Sequence, residues 1–254
     1  MVALDETNQL WIRRFSPDPD ATIRLACLPH AGGSASYFMP VARALSPGCD
    51  VLAVQYPGRQ DRRLEKPLET VAELADAVAE QLLGWADRPL AIFGHSLGAL
   101  VGFEVAHRLV ENGCQPAVLI VSGRRAPNRE RLEKIHTLTD EAILAEIGTL
   151  GGTDPVALAD PEMRRLVLAT LRADYTAVEN YRHTARKPFG APISAHIGIN
   201  DPRVTKDEAQ DWAQHTTGHF ELHTYRGGHF YLNSQASAVI ANLRRILHVV
   251  HDDA

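Results

Sequence analysis

Gly94, His95, Ser96, Leu97 and Gly98 form a GxSxG run, and by type and spacing they are the residues best suited to covalent chemistry. An apolar stretch at residues 90–93 precedes the run, and a segment from near Ala99 shows helical spacing through Val101, Phe103, Val105, Ala106, Leu109 and Val110. A serine between a strand and a helix is forced onto a tight turn, so its hydroxyl points out of the fold. Side chains at 94 and 98 would strike neighbouring backbone. The helix N-terminus adds partial positive charge beside an oxygen that gains negative charge during attack on an acyl carbon. A serine hydroxyl is a weak nucleophile at neutral pH, and so the chemistry also needs an imidazole and a carboxylate that orients it.

Twelve histidines are available, and His229 stands apart from the others. It follows the last predicted strand and the flexible pair Gly227 and Gly228, immediately before Phe230 and Tyr231. His215, His219 and His223 come before or within that strand and are assigned to the surface or the sheet. Asp201 directly follows the apolar run at 193–199, which places its carboxylate where it can face His229 across one edge of the sheet. Asp207 and Asp211 lie further on, where a helix carrying Ala209 and Trp212 begins, and are assigned to solvent. The preceding strand ends in Ser122, Gly123 and Arg124 and offers no acid. The plainer reading of Asp201 is a turn residue before Pro202, and that of His229 a loop residue. Pro29, His30, Ala31, Gly32, Gly33 and Ser34 follow the first core strand, and the backbone N–H groups of Ala31 and Leu97 are the candidate donors to an oxyanion. A phosphate-binding loop is the weaker reading, because the segment lacks the lysine and spacing of one.

The elements that must hold these residues show in the apolar pattern. Short apolar or β-branched runs recur at 23–28, 51–55, 90–93, 118–121, 193–199 and 220–225, with 11–15 as a possible edge strand. Most are apolar throughout, as suits parallel strands covered on both faces, and helical spacing fills the gaps between them. Val71, Leu74, Val78, Leu82 and Trp85 make one such face, and Val239, Ile240, Leu243, Ile246, Leu247 and Val250 another. The alternation breaks at residues 124–188, where at least two helices and no strand are expected. This stretch reads as a lid inserted in one domain of residues 1–254, or more plainly as helices covering a sheet edge. One helix is announced by Asp160 as N-cap and Pro161 at the first helical position, and Gly148, Gly151 and Gly152 suggest a joint before it.

With 45% apolar and 22% charged residues the composition is that of an ordinary globular protein, and no apolar run is long enough to span a bilayer. Residues 1–10 lack the basic start and apolar stretch of a secretory peptide, so a cytoplasmic location is expected. Cys27, Cys49 and Cys114 are odd in number and irregularly spaced, which predicts buried, reduced thiols without a disulfide framework or zinc site. A net charge of −5 gives no general reason to bind nucleic acid.

With these residues placed, the chain resembles the type II, free-standing thioesterases of polyketide and nonribosomal peptide assembly lines, over nearly its whole length. The resemblance rests on the 29–34 segment, on Tyr56, Pro57, Gly58 and Arg59 with Arg62 and Arg63, on the Ser96 turn, on Asp201, and on Gly227, Gly228, His229 and Phe230. It implies an α/β-hydrolase fold with a mostly parallel sheet flanked by helices and carrying a helical lid. It also implies a monomeric editing enzyme that removes stalled acyl groups from the phosphopantetheine arm of acyl or peptidyl carrier proteins. No metal or soluble cofactor is implied. Arginines 59, 62, 63, 124 and 125 are candidates for docking an acidic carrier domain or for anchoring the lid, against a plainer reading as solvated or structural arginines. Rival readings are a carboxylesterase or lipase with the same residues, a chain-releasing thioesterase domain, disfavoured because no carrier domain precedes the core, and a non-catalytic binding protein on the same scaffold.

Overall fold

The computed structural model describes residues 6–150 and 160–252. Its centre is a seven-stranded sheet: β1 (Ile12–Arg13), β2 (Ile23–Leu28), β3 (Cys49–Val54), β4 (Leu90–His95), β5 (Val118–Ser122), β6 (Ile193–Gly198) and β7 (Phe220–Tyr225). The spatial order is β1-β3-β2-β4-β5-β6-β7, with only β1 antiparallel to its neighbour. Strands β2 to β6 are buried at every position, which is why their sequences lack a polar face. Since β2 to β7 run the same way, the turns after β2, β4, β6 and β7 all emerge at one edge, where α/β folds place their ligands.

Helices cover both faces. On one, α3 (Val71–Leu83) and α4 (Leu97–Glu111) bury Leu74, Val78, Leu82, Val101, Phe103 and Val105 against the sheet. On the other, α2 (Met39–Leu45) and α9 (Ala236–Asp252) bury Ala42, Leu45, Val239, Leu243 and Ile246. The start of α3 is fixed by Thr70, whose side chain accepts the Glu73 N–H at 3.1 Å and satisfies a donor that the helix cannot.

The edge strand expected at 11–15 is cut to two residues. A short helix, α1 (Glu6–Trp11), ends on Trp11, whose carbonyl accepts the Gln55 N–H while its ring packs under Arg62. The helix expected near Ala99 begins at Leu97, directly after the serine. Between β5 and β6 run α5 (Asp140–Leu150) and α6 (Pro161–Asn180), with no strand among the described residues of 124–188. Asp160 caps α6 by accepting the Met163 N–H at 2.8 Å, with Pro161 at the first turn. Ile135, Ile143, Ile147, Leu168 and Leu171 form an apolar cluster separate from the two that sandwich the sheet. Gly148 is a residue of α5 and not a joint beside it, while Gly151 and Gly152 lie outside the described residues. Further along, α7 (Lys206–Gln210) starts from a reciprocal Thr205–Glu208 cap, and α8 (Tyr231–Ser234) leads into α9. No helix among the described residues is long and apolar enough to cross a membrane.

Candidate active site

Ser96 occupies the turn between β4 and α4 with φ 55° and ψ −111°, a conformation that costs a non-glycine residue on the order of 1–3 kcal/mol. The neighbouring strand holds it there: the Ser96 N–H donates to the Ser122 carbonyl at 2.8 Å. Both flanking glycines are obligatory on contact grounds. A Cβ at Gly94 would lie 2.0 Å from the Gly98 carbonyl oxygen, and one at Gly98 would lie 2.0 Å from that of Leu28.

Asp201 follows β6 and His229 follows β7, and the two meet. His229 Nδ1 donates to the Asp201 carboxylate at 2.9 and 3.1 Å, both side chains being buried. Asp201 is itself fixed by accepting the Arg203 N–H at 2.8 Å. With Nδ1 committed as donor, Nε2 carries the free lone pair. Ser96 and His229 line one cavity together with His30, Ala31 and Phe230. They share it without a direct hydrogen bond between them. The rest of the wall comes from the inserted helices and their surroundings: Ile147 and Leu150 of α5, Tyr175, Val178 and Glu179 of α6, and the charged Arg124, Glu133 and Arg203.

The two amides expected to face an oxyanion are available. The Leu97 N–H opens α4 and has no acceptor one turn earlier. In the 31–33 loop, the Gly32 N–H goes to Asp174 at 2.7 Å and the Gly33 N–H to the His30 carbonyl at 2.9 Å. Among the described residues the Ala31 N–H has no acceptor, and Ala31 lines the cavity.

Two histidines missed in the sequence stand beside His229. Burial first, and then the proximity of His229, pulls His30 down to about 3 and holds His95 well below its ordinary value, so both rings are neutral. His95 lies 5.0 Å from His229 with the two rings tilted by 40°, and is tethered through Ser122 Oγ, at 2.9 Å, to the Tyr231 hydroxyl. His30 packs edge-on against Tyr37 and Phe230 at 4.7 Å each. Both lie inside motifs quoted above, but only their flanking residues had an assigned task.

Several surface assignments are corrected. Arg59, Arg62 and Arg125 are buried, which removes them from any docking face. Arg59 forms a two-pronged ion pair with Asp174 of α6 and Arg62 one with Glu65, while Arg125 makes a single ion-pair contact with Glu133 at 3.0 Å. Arg59 thereby ties the loop after β3 to α6, one of the helices between β5 and β6. Arg124 lines the cavity, and burial, with Arg125 beside it, draws it down to about 9, still charged at neutral pH. Of the five, only Arg63 is exposed. His215 is buried against Trp212 rather than at the surface, Asp211 pairs with Arg129, and Cys114 is only half-buried whereas Cys27 and Cys49 are fully so.

Strand order, turn geometry and the imidazole–carboxylate pair define an α/β-hydrolase fold carrying the residue set of a serine hydrolase. The family model for the thioesterase domain matches residues 23–247, and the chain belongs to that family. Thioesterase PikA5 of Streptomyces venezuelae is 50% identical over 234 residues, 91% of this chain and 83% of the relative. A probable cadicidin biosynthesis thioesterase of Streptomyces griseus is 43% identical over 244 residues, 96% of this chain and 68% of the relative. Among solved structures, the type II thioesterase BorB from the borrelidin biosynthetic cluster is 46% identical and superimposes with a TM-score of 0.88, covering 94% of this chain and 98% of BorB. The protein is accordingly an enzyme, a hydrolase of thioesters.

Proposed function

We propose that Ser96 is the nucleophile, His229 the general base, Asp201 the group that orients it, and the Ala31 and Leu97 amides the oxyanion donors. The substrate is an acyl group on the phosphopantetheine arm of an acyl or peptidyl carrier protein, removed when it stalls a polyketide or nonribosomal peptide assembly line. The observation that carries this reading is the buried His229–Asp201 pair, with Nε2 free, in the same cavity as a strained, outward-turned serine. The relatives named above support the substrate class.

On this reading His229 Nε2 takes the Ser96 proton as the oxygen attacks the thioester carbonyl. The tetrahedral oxyanion is held by two amides that spend no hydrogen bond elsewhere, each worth on the order of 100-fold in rate. The thiolate leaves and takes the proton held at His229 Nε2, giving an acyl-serine; His229, neutral again, takes a proton from water as the water oxygen attacks, and returns it to the Ser96 oxygen as the free acid departs. These steps use only side chains and backbone of this chain. The helices between β5 and β6 act as a lid whose inner face, Ile147, Leu150 and Val178, packs the acyl chain. Free thiols at 27, 49 and 114 favour a reducing, cytoplasmic setting, and the enzyme acts as a monomer that meets its carrier transiently.

The test is Ser96→Ala with an acylated carrier protein as substrate. Turnover should vanish, labelling by a fluorophosphonate should vanish with it, and the far-UV spectrum should be unchanged. A folded Ser96→Ala protein that still releases acid at more than a few per cent of the normal rate refutes the assignment.

A further inference from the structure

Asp174 is a carboxylate with no exposed surface, on the cavity-facing helix α6, and its partners explain why it is there. It accepts the Gly32 N–H at 2.7 Å and both terminal nitrogens of Arg59 at 2.9 and 3.0 Å. Arg59 in turn donates to the Gly33 carbonyl at 3.0 Å and to that of Pro57 at 3.2 Å. The loop that carries the candidate oxyanion donor is thus gripped at Gly32 by a helix 142 positions away and at Gly33 by an arginine from the loop after β3. The approach is as close as it can be. Gly32 has φ +73°, and a Cβ there would lie 2.5 Å from the Leu171 side chain of α6.

We infer that Asp174 is a positioning residue for the oxyanion hole. By holding the Gly32 amide it fixes the turn in which the preceding residue, Ala31, lines the cavity with an N–H that has no other acceptor among the described residues, and Arg59 compensates its buried charge through the two-pronged ion pair. Movement of α6 away from the loop releases the Gly32 amide and the Ala31 donor with it, so seating of α6 and assembly of the donor are one event. Asp174 touches neither substrate nor reacting atoms, and its contribution falls on the tetrahedral state alone. The inference rests on the assignment of Ser96 and Ala31 given above.

The experiment compares Asp174→Asn with the wild type on three readouts: turnover of octanoyl-pantetheine, the affinity of heptylboronic acid, whose tetrahedral adduct with Ser96 mimics the oxyanion, and the Kd of octanoyl-pantetheine in a Ser96→Ala background. A positioning role lowers kcat and boronate affinity together by roughly 10- to 100-fold and leaves the thioester Kd within about twofold. Arg59→Lys, which keeps the charge but loses the fork, gives the same pattern at smaller size, and stands in if Asp174→Asn does not fold. Equal losses in all three readouts show a merely structural ion pair and overturn the inference, as does a folded variant with unchanged kcat. Turnover by Ser96→Ala itself condemns the nucleophile assignment and the inference with it, an outcome separable from loss of the Asp174 effect alone.

Discussion

Gly98→Ala is a small change with a large expected effect. The added methyl would lie 2.0 Å from the carbonyl oxygen of Leu28, 2.6 Å from its carbon and 2.8 Å from the carbonyl oxygen of Pro29. All three atoms are backbone, so no side chain can swing aside, and β2 must withdraw from α4 by about 1.4 Å to reach an ordinary contact. Leu28 ends β2, in register with Gly94, and Ala31 follows three residues later, so the displacement carries into the donor loop. A misplacement of that size costs on the order of 100-fold in rate. In stability, overpacking costs roughly 1–3 kcal/mol, offset in part by about 1 kcal/mol from replacing a helical glycine by alanine. Gly102→Ala on the same helix is the internal control, because its methyl meets only the side chains of Ile92 at 3.1 Å and Leu119 at 3.6 Å. The assay is thiol release from octanoyl-pantetheine, with urea unfolding in parallel. Gly98→Ala should lose about two orders of magnitude in kcat and up to roughly 2 kcal/mol in stability, whereas Gly102→Ala should keep kcat and be as stable as the wild type or up to about 1 kcal/mol more so. A Gly98→Ala enzyme with normal kcat and stability would show that the strand and helix are not in the contact described.

Two further outcomes can be checked with the same protein. Asp201→Asn should keep the fold but lower kcat by roughly 1,000- to 10,000-fold, because Nδ1 loses the carboxylate that fixes the tautomer. Activity near normal in pre-steady-state acid release would disqualify this acid. Stability should fall with acid through the buried neutral histidines. Burial depresses His30 and His196 to about 3, and holds His95 well below its ordinary value, whereas the unfolded chain takes up these protons near pH 6.5. Their contribution is therefore intact at pH 7 and lost as pH falls from about 6.5, at roughly 1 kcal/mol per histidine per pH unit. Urea midpoints that stay level from pH 7 to pH 5 would contradict it.

What the sequence makes legible here is local. Strands β2 and β7 coincide with their predicted ranges, and Ser96, Asp201 and His229 declare themselves because each follows a strand at a turn whose glycines or proline are visible. What stays hidden are pairings across long stretches of chain. Arg59 and Asp174 are 115 positions apart, and neither carries a mark that distinguishes it from an arginine or aspartate in solvent. The same blindness sends Arg62 and Arg125 to the surface, since a buried guanidinium is recognisable only by the carboxylate and carbonyls that surround it. His30 and His95 sit inside recognised motifs, but the ring-on-ring packing that keeps them uncharged involves Tyr37 and Phe230 from distant turns.

The inserted helices between β5 and β6 own a miniature core of five aliphatic residues, independent of the layers that pack on the sheet. On the proposed reading, chemistry and chain recognition are written in different parts of the molecule. The proposed reacting groups stand at strand ends, while much of the chamber that would measure the acyl group belongs to the helices between β5 and β6. Such a division lets selectivity drift by exchange or repacking of those helices without disturbing the bond-breaking machinery. The limit is the shared ion pair at the base of the second helix, which any replacement must preserve.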